Sequence, residues 1–184
     1  MKVIETPIPG LVIIKPDVFA DQRGYFFESF NKKQFAEQGL NYKFIQDNES
    51  KSIYGVIRGL HYQLEPHPQA KLVRVMQGCV FDVAVDLRKG SPTFGKWYGV
   101  ELSCDNKLQL LIPRGFAHGF SVLSETAIFI YKCDGLYNKE SERGICYNDP
   151  LLAIDWKIDV GKSIISEKDK LQPDFQNAEK NFNF

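Results

Sequence analysis

Apolar and polar residues alternate along a series of short stretches in the chain. The clearest stretch is 80–87, in which a phenylalanine, two valines and a leucine alternate with positions that include Asp82 and Asp86. Alternation with a period of two predicts a half-buried β-strand there. Similar patterns predict strands at 3–4, 11–14, 44–48, 55–63, 72–76, 97–103, 108–112, 119–123 and 127–133. Many short strands at regular spacing favour a sandwich or barrel over βαβ units.

Two stretches carry the start and stop signals of short helices. Asn31 resembles a helix N-cap with Gln34 three residues later, and Gly39 ends this predicted helix. A capping box at 166–169 opens a second short helix, which Pro173 stops. The run 25–30 is interpreted as a strand, and 138–150 as a polar loop. We therefore expect an all-β fold with a few short helices, in one domain that spans residues 1–184.

The charge balance and the cysteine spacing argue against several classes of protein. The 23 Lys and Arg residues balance the 23 Asp and Glu residues, so we expect no general attraction to nucleic acid or to a membrane surface. Cys79, Cys104, Cys133 and Cys146 lie far apart without a Cys-x-x-Cys motif, which favours reduced thiols over a disulfide scaffold or a zinc site. No signal-peptide pattern and no long apolar run is present, so we expect a cytoplasmic protein.

Two apolar, glycine-rich segments each contain a histidine and an arginine. Arg58 and His61 interrupt the apolar run 55–63, and Arg114 and His118 interrupt the run 112–120. Burial of such groups in a strand costs free energy unless their hydrogen-bonding capacity is satisfied. A polar cavity inside a β-barrel satisfies it, so we expect His61 to face such a cavity.

Four side chains become candidates for chemistry if that cavity exists, although each also has a purely structural explanation. His61 alone fits a core histidine that is hydrogen-bonded to the backbone, and Lys71 at the head of a strand fits a lysine with its ammonium in solvent. Tyr131 fits a core tyrosine, and Asp169 fits the third position after a helix cap. In a shared cavity, Lys71 can stabilise an oxyanion and Asp169 can orient a histidine.

Small β-barrels often bind a metal through a His-x-His pair and a glutamate, and this pattern is missing here. Tyr62 and Gln63 follow His61, and the other candidate, His118, is distant in sequence. Two such histidines are too few for a metal site, so we expect none. No glycine-rich dinucleotide motif is present either, so we expect no nicotinamide cofactor.

Several motifs together resemble the dTDP-4-dehydrorhamnose 3,5-epimerase family, in order from about Val3 to Pro173. They are Gly55-Val-Ile-Arg-Gly-Leu-His-Tyr-Gln, Lys71-Leu-Val-Arg-Val, Phe81-Asp-Val-Ala-Val-Asp, Phe94-Gly-Lys-Trp, Ile112-Pro-Arg-Gly-Phe-Ala-His-Gly-Phe, Tyr131-Lys and Ser166-Glu-Lys-Asp. The resemblance implies a cupin-type jelly-roll β-barrel, a homodimer, and catalysis without a metal or cofactor. It implies that the C3 and C5 centres of dTDP-4-dehydro-6-deoxyglucose are inverted through an enolate, in dTDP-L-rhamnose biosynthesis.

The resemblance also implies a role for each candidate residue. His61 is the expected general base, Asp169 its orienting partner, Tyr131 the acid on the opposite face of the sugar, and Lys71 the stabiliser of the enolate. The expected nucleotide-sugar contacts are Arg23, Phe26, Glu28, Gln46, Asp47, Asn48, Arg58, Lys71, His118, Tyr137, Glu142 and Lys168. In the family, part of this set comes from the partner subunit through exchange of N-terminal strands.

One departure and three alternatives stay open on the sequence alone. Leu136 stands where many family members have a second aromatic residue before Tyr137, which bears on stacking with the nucleotide base. The alternatives are a nucleotide-sugar binding module without catalysis, a metal-dependent cupin oxygenase, and a single-position epimerase or ketoisomerase of another dTDP-deoxysugar pathway. The presence of base, acid and orienting carboxylate together favours an enzyme.

Overall fold

The computed structural model describes residues 1–184 and contains thirteen β-strands and two short α-helices. The strands are β1 (Lys2–Glu5), β2 (Val12–Lys15), β3 (Phe19–Asp21), β4 (Gly24–Phe26), β5 (Gln46–Ile53), β6 (Ile57–Gln63), β7 (Lys71–Gln77), β8 (Cys79–Asp86), β9 (Trp97–Ser103), β10 (Gln109–Ile112), β11 (Phe116–Val122), β12 (Thr126–Cys133) and β13 (Glu142–Gly144). The helices are α1 (Lys32–Glu37) and α2 (Glu167–Lys170), and a 3-10 turn spans Val160–Lys162.

Two antiparallel sheets form the body of the fold. The first has the strand order β1-β2-β10-β7-β12-β5, and the second has the order β13-β6-β11-β8-β9. Their facing sides enclose an apolar cluster to which Val73 and Phe129 contribute from the first sheet and Ala84 and Phe120 from the second. Since successive side chains of a strand alternate between faces, residues two positions from these members also face the interior. This parity directs Lys71, Tyr131 and His118 inward.

Strand β8 differs from its prediction. The alternation at 80–87 predicts a half-buried strand, but every residue from Val80 to Leu87 is buried. One face of β8 packs on the interior cluster, and the other contributes Phe81 and Val83 to a second apolar cluster outside the sheet. The C-terminal part of the chain covers that outer face with Trp156 and other apolar residues, so β8 is enclosed on both faces.

The outer face of the first sheet is covered by α1. Phe35 of this helix is buried against Ile14, Leu72 and Leu111. Asn31 caps α1 through its side chain, as predicted, and Gly39 follows the helix with a φ of 77°. Such a positive φ is one that glycine adopts at low cost.

Two sequence interpretations are wrong. The run 25–30 forms a strand only as far as Phe26, in the exposed β3–β4 hairpin. The segment 138–150, interpreted as a loop, contains β13, which pairs with β6 and places Glu142 opposite Gln63. A strand of three residues is too short for its alternation to be read. No helix of the structure has the length and apolar character needed to cross a membrane.

Candidate active site

A cavity of about 320 Å³ opens between the two sheets. Its wall on one side includes His61 from β6, and its wall on the other side includes Lys71 from β7 and Tyr131 from β12. The remaining lining residues are polar or aromatic: Gln46, Asn48, Tyr62, Gln63, Gln69, Tyr137 and Glu142. Three of the four candidate catalytic side chains therefore meet in one space, as expected from the sequence.

Asp169 joins the site from behind His61. Its Oδ1 lies 2.6 Å from Nε2 of His61, and the backbone N–H of Gly59 donates to its Oδ2 at 3.4 Å. The carboxylate is held at the start of α2, where the Asp169 N–H donates to the side chain of the cap residue Ser166. Burial raises the pKa of Asp169, but the hydrogen bond and charge of His61, together with the hydrogen bonds of Gly59 and Ser166, outweigh it, and the pKa lies below its usual value. The carboxylate is therefore ionised at neutral pH.

The approach of β6 to β11 requires glycine at position 59. Gly59 has a φ of 136°, and a Cβ placed there lies only 2.5 Å from Cα of Gly119. Any side chain at this position forces the two strands apart. The register of β6 against β11 shifts near this point, between His118 and Phe120. This close packing brings His61 and His118 opposite each other on neighbouring strands.

The Asp169 carboxylate fixes which nitrogen of His61 is available. Nε2 is committed to Asp169, and Nδ1 makes no hydrogen bond to the protein. No buried side-chain nitrogen or oxygen lacks a hydrogen-bond partner anywhere in the structure, so Nδ1 retains access to the cavity. The arrangement therefore presents a lone pair of the ring to the cavity, with an anion behind the ring to stabilise the imidazolium that forms on protonation.

Lys71 and Tyr131 lie on adjacent strands of the opposite sheet. The ammonium of Lys71 is 5.9 Å from the centroid of the Tyr131 ring. Burial lowers the pKa of Lys71, while the neighbouring Cys133, Asp82 and Glu142 act in the other direction. Burial raises the pKa of Tyr131, so its phenol stays protonated to a higher pH than in solution. The wall opposite His61 therefore holds a cation and a neutral proton donor.

A hydrogen-bonded rim surrounds the mouth of the cavity. Tyr137 donates its hydroxyl to Oε2 of Glu142 at 3.0 Å, and Lys168 lies 2.5 Å from the same oxygen. The backbone N–H of Tyr137 donates to Gln46, whose side-chain amide donates to Asn48 at 3.0 Å. Five of the predicted binding residues therefore form one network, connected through Tyr137, beside the catalytic candidates.

Arg58 of β6 is held in place by strand β5 of the other sheet. Its Nε donates to Oγ of Ser52 at 3.0 Å, and Ser52 is buried. Arg58 lies close enough to Tyr131 for its charge to lower the pKa of the phenol. The sequence does not reveal this role of Ser52, because nothing in the pattern of a strand indicates which distant side chain a serine contacts.

Seven of the twelve predicted binding residues do not line this cavity in the single chain, and four of these lie away from it. Arg23 and Phe26 belong to the exposed β3–β4 hairpin, where Arg23 is paired with Asp21. Glu28 accepts hydrogen bonds from Asn31 and Gln34 at the start of α1. Asp47 faces the outer side of its sheet and pairs with Lys132 at 2.9 Å. Their placement follows from strand parity and from the projection of the hairpin away from the chain's own barrel.

His118 lies deeper than the other candidates. Its Nε2 is 2.9 Å from Oδ2 and 3.1 Å from Oδ1 of Asp82, a fully buried residue of β8. Sequence alternation placed Asp82 on the same face as Val80 and Ala84, but gave no indication that the face is enclosed. No group of three or more His, Cys, Asp and Glu side chains has an arrangement suited to a metal ion.

Comparison with known proteins identifies the family. The profile of the dTDP-4-dehydrorhamnose 3,5-epimerase family matches residues 5–177 of the 184 residues. The chain belongs to the dTDP-4-dehydrorhamnose 3,5-epimerase family. A dTDP-4-dehydrorhamnose 3,5-epimerase of Shigella flexneri is 57% identical over 170 residues, which are 92% of this chain and 93% of that protein.

Solved structures of dTDP-4-dehydrorhamnose 3,5-epimerases have the same fold. The crystal structure of the enzyme from Elizabethkingia anophelis NUHP1 is 60% identical, with a TM-score of 0.93 over 96% of this chain and 97% of that one. A dTDP-6-deoxy-D-glucose-3,5-epimerase of Legionella pneumophila Philadelphia 1, in complex with dTDP-4-keto-L-rhamnose, is 51% identical, with a TM-score of 0.91 over 96% and 93% of the two chains. The cupin-like β-fold, the isomerase class and the epimerase function predicted from the sequence are confirmed.

Proposed function

We propose that the cavity binds a dTDP-linked 4-keto-6-deoxyhexose and inverts C3 and C5 by proton transfer between its two walls. His61 is the base, Tyr131 the acid, Lys71 the stabiliser of the enolate, and Asp169 the residue that orients His61. The observation that carries this proposal is the placement of His61 and Tyr131 on opposite sheets around one cavity. Inversion of a carbon requires a proton to leave from one face and return to the other.

The first step removes a proton from carbon. Both C3 and C5 flank the C4 ketone, so the same carbonyl acidifies the hydrogen on each. Nδ1 of His61 takes the proton, and the electron pair of the C–H bond moves into the C4–O group to form an enolate. Asp169 accepts the Nε2 hydrogen of the resulting imidazolium across 2.6 Å, which stabilises the charge.

The second step stabilises the negative charge that develops on O4. The Lys71 ammonium faces the cavity from the wall that carries Tyr131. A cation in a site from which water is largely excluded stabilises an oxyanion more strongly than it does in water.

The third step returns a proton to the opposite face of the carbon. The Tyr131 phenol donates its proton to the carbon, and the enolate collapses to the ketone. The phenolate then regains a proton from solvent, and the His61 imidazolium releases one to solvent. Because its pKa is raised by burial, Tyr131 is fully protonated when the cycle begins. The same cycle serves C3 and C5 without a redox step, so the proposal assigns no step to a cofactor or a metal.

The nucleotide end of the substrate is proposed to lie across the polar rim. Arg58 and Lys168 supply positive charge for the diphosphate, and arginine is suited to a pair of phosphate oxygens. Tyr137 is 56% exposed at the mouth and offers an aromatic face to the base. The bound dTDP-4-keto-L-rhamnose in the Legionella relative supports this class of ligand.

We also propose that the enzyme is a homodimer in which each β3–β4 hairpin completes the partner's site. The hairpin exposes Phe19, Tyr25 and Phe26 at 66, 58 and 66%, which is unusual for aromatic residues of a free surface. Arg23 at its tip lies outside the cavity of its own chain. A second copy of the chain buries these rings and brings the arginine to a diphosphate.

Co-expression of two inactive variants tests the shared site. Arg23→Ala and His61→Ala homodimers are each expected to turn over poorly, whereas the co-expressed mixture regains about a quarter of wild-type activity, since half of the dimers have one intact site. Failure to regain activity in purified heterodimers contradicts a shared site. An Arg23→Ala heterodimer with wild type serves as the control for dilution.

We further propose a cytoplasmic location. All four cysteines are free, and reduced thiols are typical of a reducing compartment. Fractionation of cells that express the native chain tests the location directly.

The decisive experiment for the reaction is incubation of the wild-type enzyme with dTDP-4-keto-6-deoxyglucose in heavy water. We expect deuterium at both C3 and C5 and inverted product at both, read by NMR. Label at one carbon alone indicates a single-position epimerase, and absence of label with retained ligand binding indicates a binding module. Isomerisation of the ketone to another carbon indicates a ketoisomerase.

A further inference from the structure

A second histidine–carboxylate pair lies inside the barrel, beside the one that the proposed mechanism uses. Asp82 is fully buried on the face of β8 that also carries Val80 and Ala84, two members of the interior apolar cluster. A carboxylate in such surroundings is costly unless a partner compensates it. The only side chain that hydrogen-bonds to Asp82 is His118. Burial raises the pKa of Asp82, while His118 and Lys71 act in the other direction, so the charge of this carboxyl group depends on its single hydrogen-bond partner and on Lys71.

The geometry of the pair commits one ring nitrogen of His118. Nε2 lies 2.9 and 3.1 Å from the two Asp82 oxygens, so both oxygens are within hydrogen-bond distance of this nitrogen. The ring is stacked on Phe129 with centroids 6.0 Å apart and an interplanar angle of 23°, and this contact favours one orientation of the ring. Nδ1 has no protein partner, and no buried side-chain polar atom is left without one, so Nδ1 is not fully enclosed. His61, the residue opposite His118 on the neighbouring strand, lines the cavity.

The charges around His118 favour the neutral imidazole. Burial is the largest cause that lowers the pKa of His118, and the positive charge of Lys71 acts in the same direction. Asp82 opposes both but does not outweigh them. A neutral imidazole that donates from Nε2 carries its lone pair on Nδ1, where it can accept a hydrogen bond.

We propose that Asp82 is a positioning residue for the reaction, which fixes His118 as the Nε2–H tautomer so that Nδ1 accepts a hydrogen bond from a hydroxyl of the bound sugar. This inference rests on the proposed function, because it assumes that a sugar occupies the cavity. The Asp82 charge has a second effect, since it favours the protonated form of Lys71. The groups around this pair are Lys71 on β7, His61 on β6, Cys133 and Tyr131 on β12, and Glu142 on β13.

The tautomer of His118 is measured first, in the resting wild-type enzyme. Nitrogen-15 NMR of imidazole-labelled protein, with His118→Gln to assign the signal, is expected to show a protonated Nε2 and an unprotonated Nδ1 at neutral pH. The Nδ1–H tautomer overturns the proposal. This measurement needs no substrate and no variant of Asp82, so it remains decisive if such a variant fails to fold.

Kinetics of Asp82→Asn then test the consequence. The amide can donate to Nε2 and thereby shift the proton to Nδ1, so we expect the tautomer to change and kcat/KM to fall about 10- to 100-fold. In a His118→Gln background the same substitution is expected to cost much less activity, because only its effect on the charge of Lys71 remains once the ring is missing. Equal losses in both backgrounds contradict a positioning role.

Asp86→Asn is the matched control. Asp86 is also fully buried on β8, and it faces the same side of the strand, but its partners are Arg88, Ser91 and Thr93. We expect a loss of thermal stability in this variant without any change of kcat/KM or of the His118 tautomer. A matching loss of kcat/KM in the control means that any buried charge on β8 has this effect, and overturns the proposal. Absence of turnover in the wild type is a different result, which contradicts the proposed function and leaves the tautomer to be judged by NMR.

Discussion

Two histidine–carboxylate pairs have their histidines opposite each other on neighbouring strands, yet their surroundings differ. His61 has a side chain 33% exposed and takes its carboxylate from α2, more than 100 positions along the chain. His118 has a side chain 8% exposed and takes its carboxylate from the adjacent strand β8. The first pair lies at the mouth of the cavity, and the second lies within the apolar interior.

This difference shows how the surroundings of a histidine–carboxylate pair determine its function. A histidine near solvent can release a proton that it has taken from carbon, so the His61 pair is suited to turnover. A histidine enclosed by apolar side chains has its pKa lowered by burial and is suited to a fixed hydrogen bond. We therefore assign proton transfer to the His61 pair at the mouth and positioning of the sugar to the His118 pair in the interior.

The largest expected effect comes from removal of the base. His61→Ala is expected to lower kcat by about 10²- to 10⁴-fold, because no other side chain in the cavity replaces the imidazole. Nucleotide affinity, measured by titration calorimetry with dTDP, is expected to survive. His118→Ala serves as the comparison, and a loss of turnover in it as large as that of His61→Ala breaks the distinction between the two pairs.

A smaller effect is expected from the carboxylate behind the base. Asp169→Asn is expected to lower kcat about 10- to 100-fold, because the amide no longer stabilises the imidazolium or selects the ring tautomer. Solvent deuterium uptake into the substrate measures the proton-abstraction step separately, and it is expected to slow in parallel. Uptake at the wild-type rate in this variant places Asp169 in a structural role only.

The mildest expected effect concerns pH. Lys71 acts as an ammonium, and burial lowers its pKa, so the rate is expected to fall as pH rises through that lowered value, earlier than for a lysine in water. Burial raises the pKa of Tyr131 and raises that of Cys133 to about 11, so neither accounts for the early decline. Lys71→Arg, which keeps its charge at all accessible pH values, is expected to be slower but to lose this alkaline limb in a pH–kcat profile. Persistence of the limb in Lys71→Arg assigns it to another group.

Much of the fold is predictable because alternation and helix caps are local signals. The strands around His61, Lys71 and Tyr131 follow from period-two patterns, and both helices begin at the residues that their capping side chains indicate. Parity then places three site residues inside the barrel. The resemblance to a family, rather than the pattern, supplied their roles.

The features that the sequence does not reveal depend on contacts between residues that are distant in the chain. The enclosure of Asp82 depends on chain segments that are distant in sequence, and a capping-box pattern alone does not indicate that Asp169 turns toward His61. Strand β13 has only three residues, too few for a period. Arg23 and Phe26 match the family motif, but the single chain places them outside its own cavity.

Tyr131→Phe in heavy water tests the central claim that the two walls act on opposite faces of the sugar. The variant keeps the base and the cation but lacks the donor, so we expect deuterium to enter at C3 and C5 while completed inversion is lost. NMR of the recovered sugar distinguishes labelled substrate from inverted product. Equal loss of label uptake and inversion, or inversion at the wild-type rate, contradicts the account.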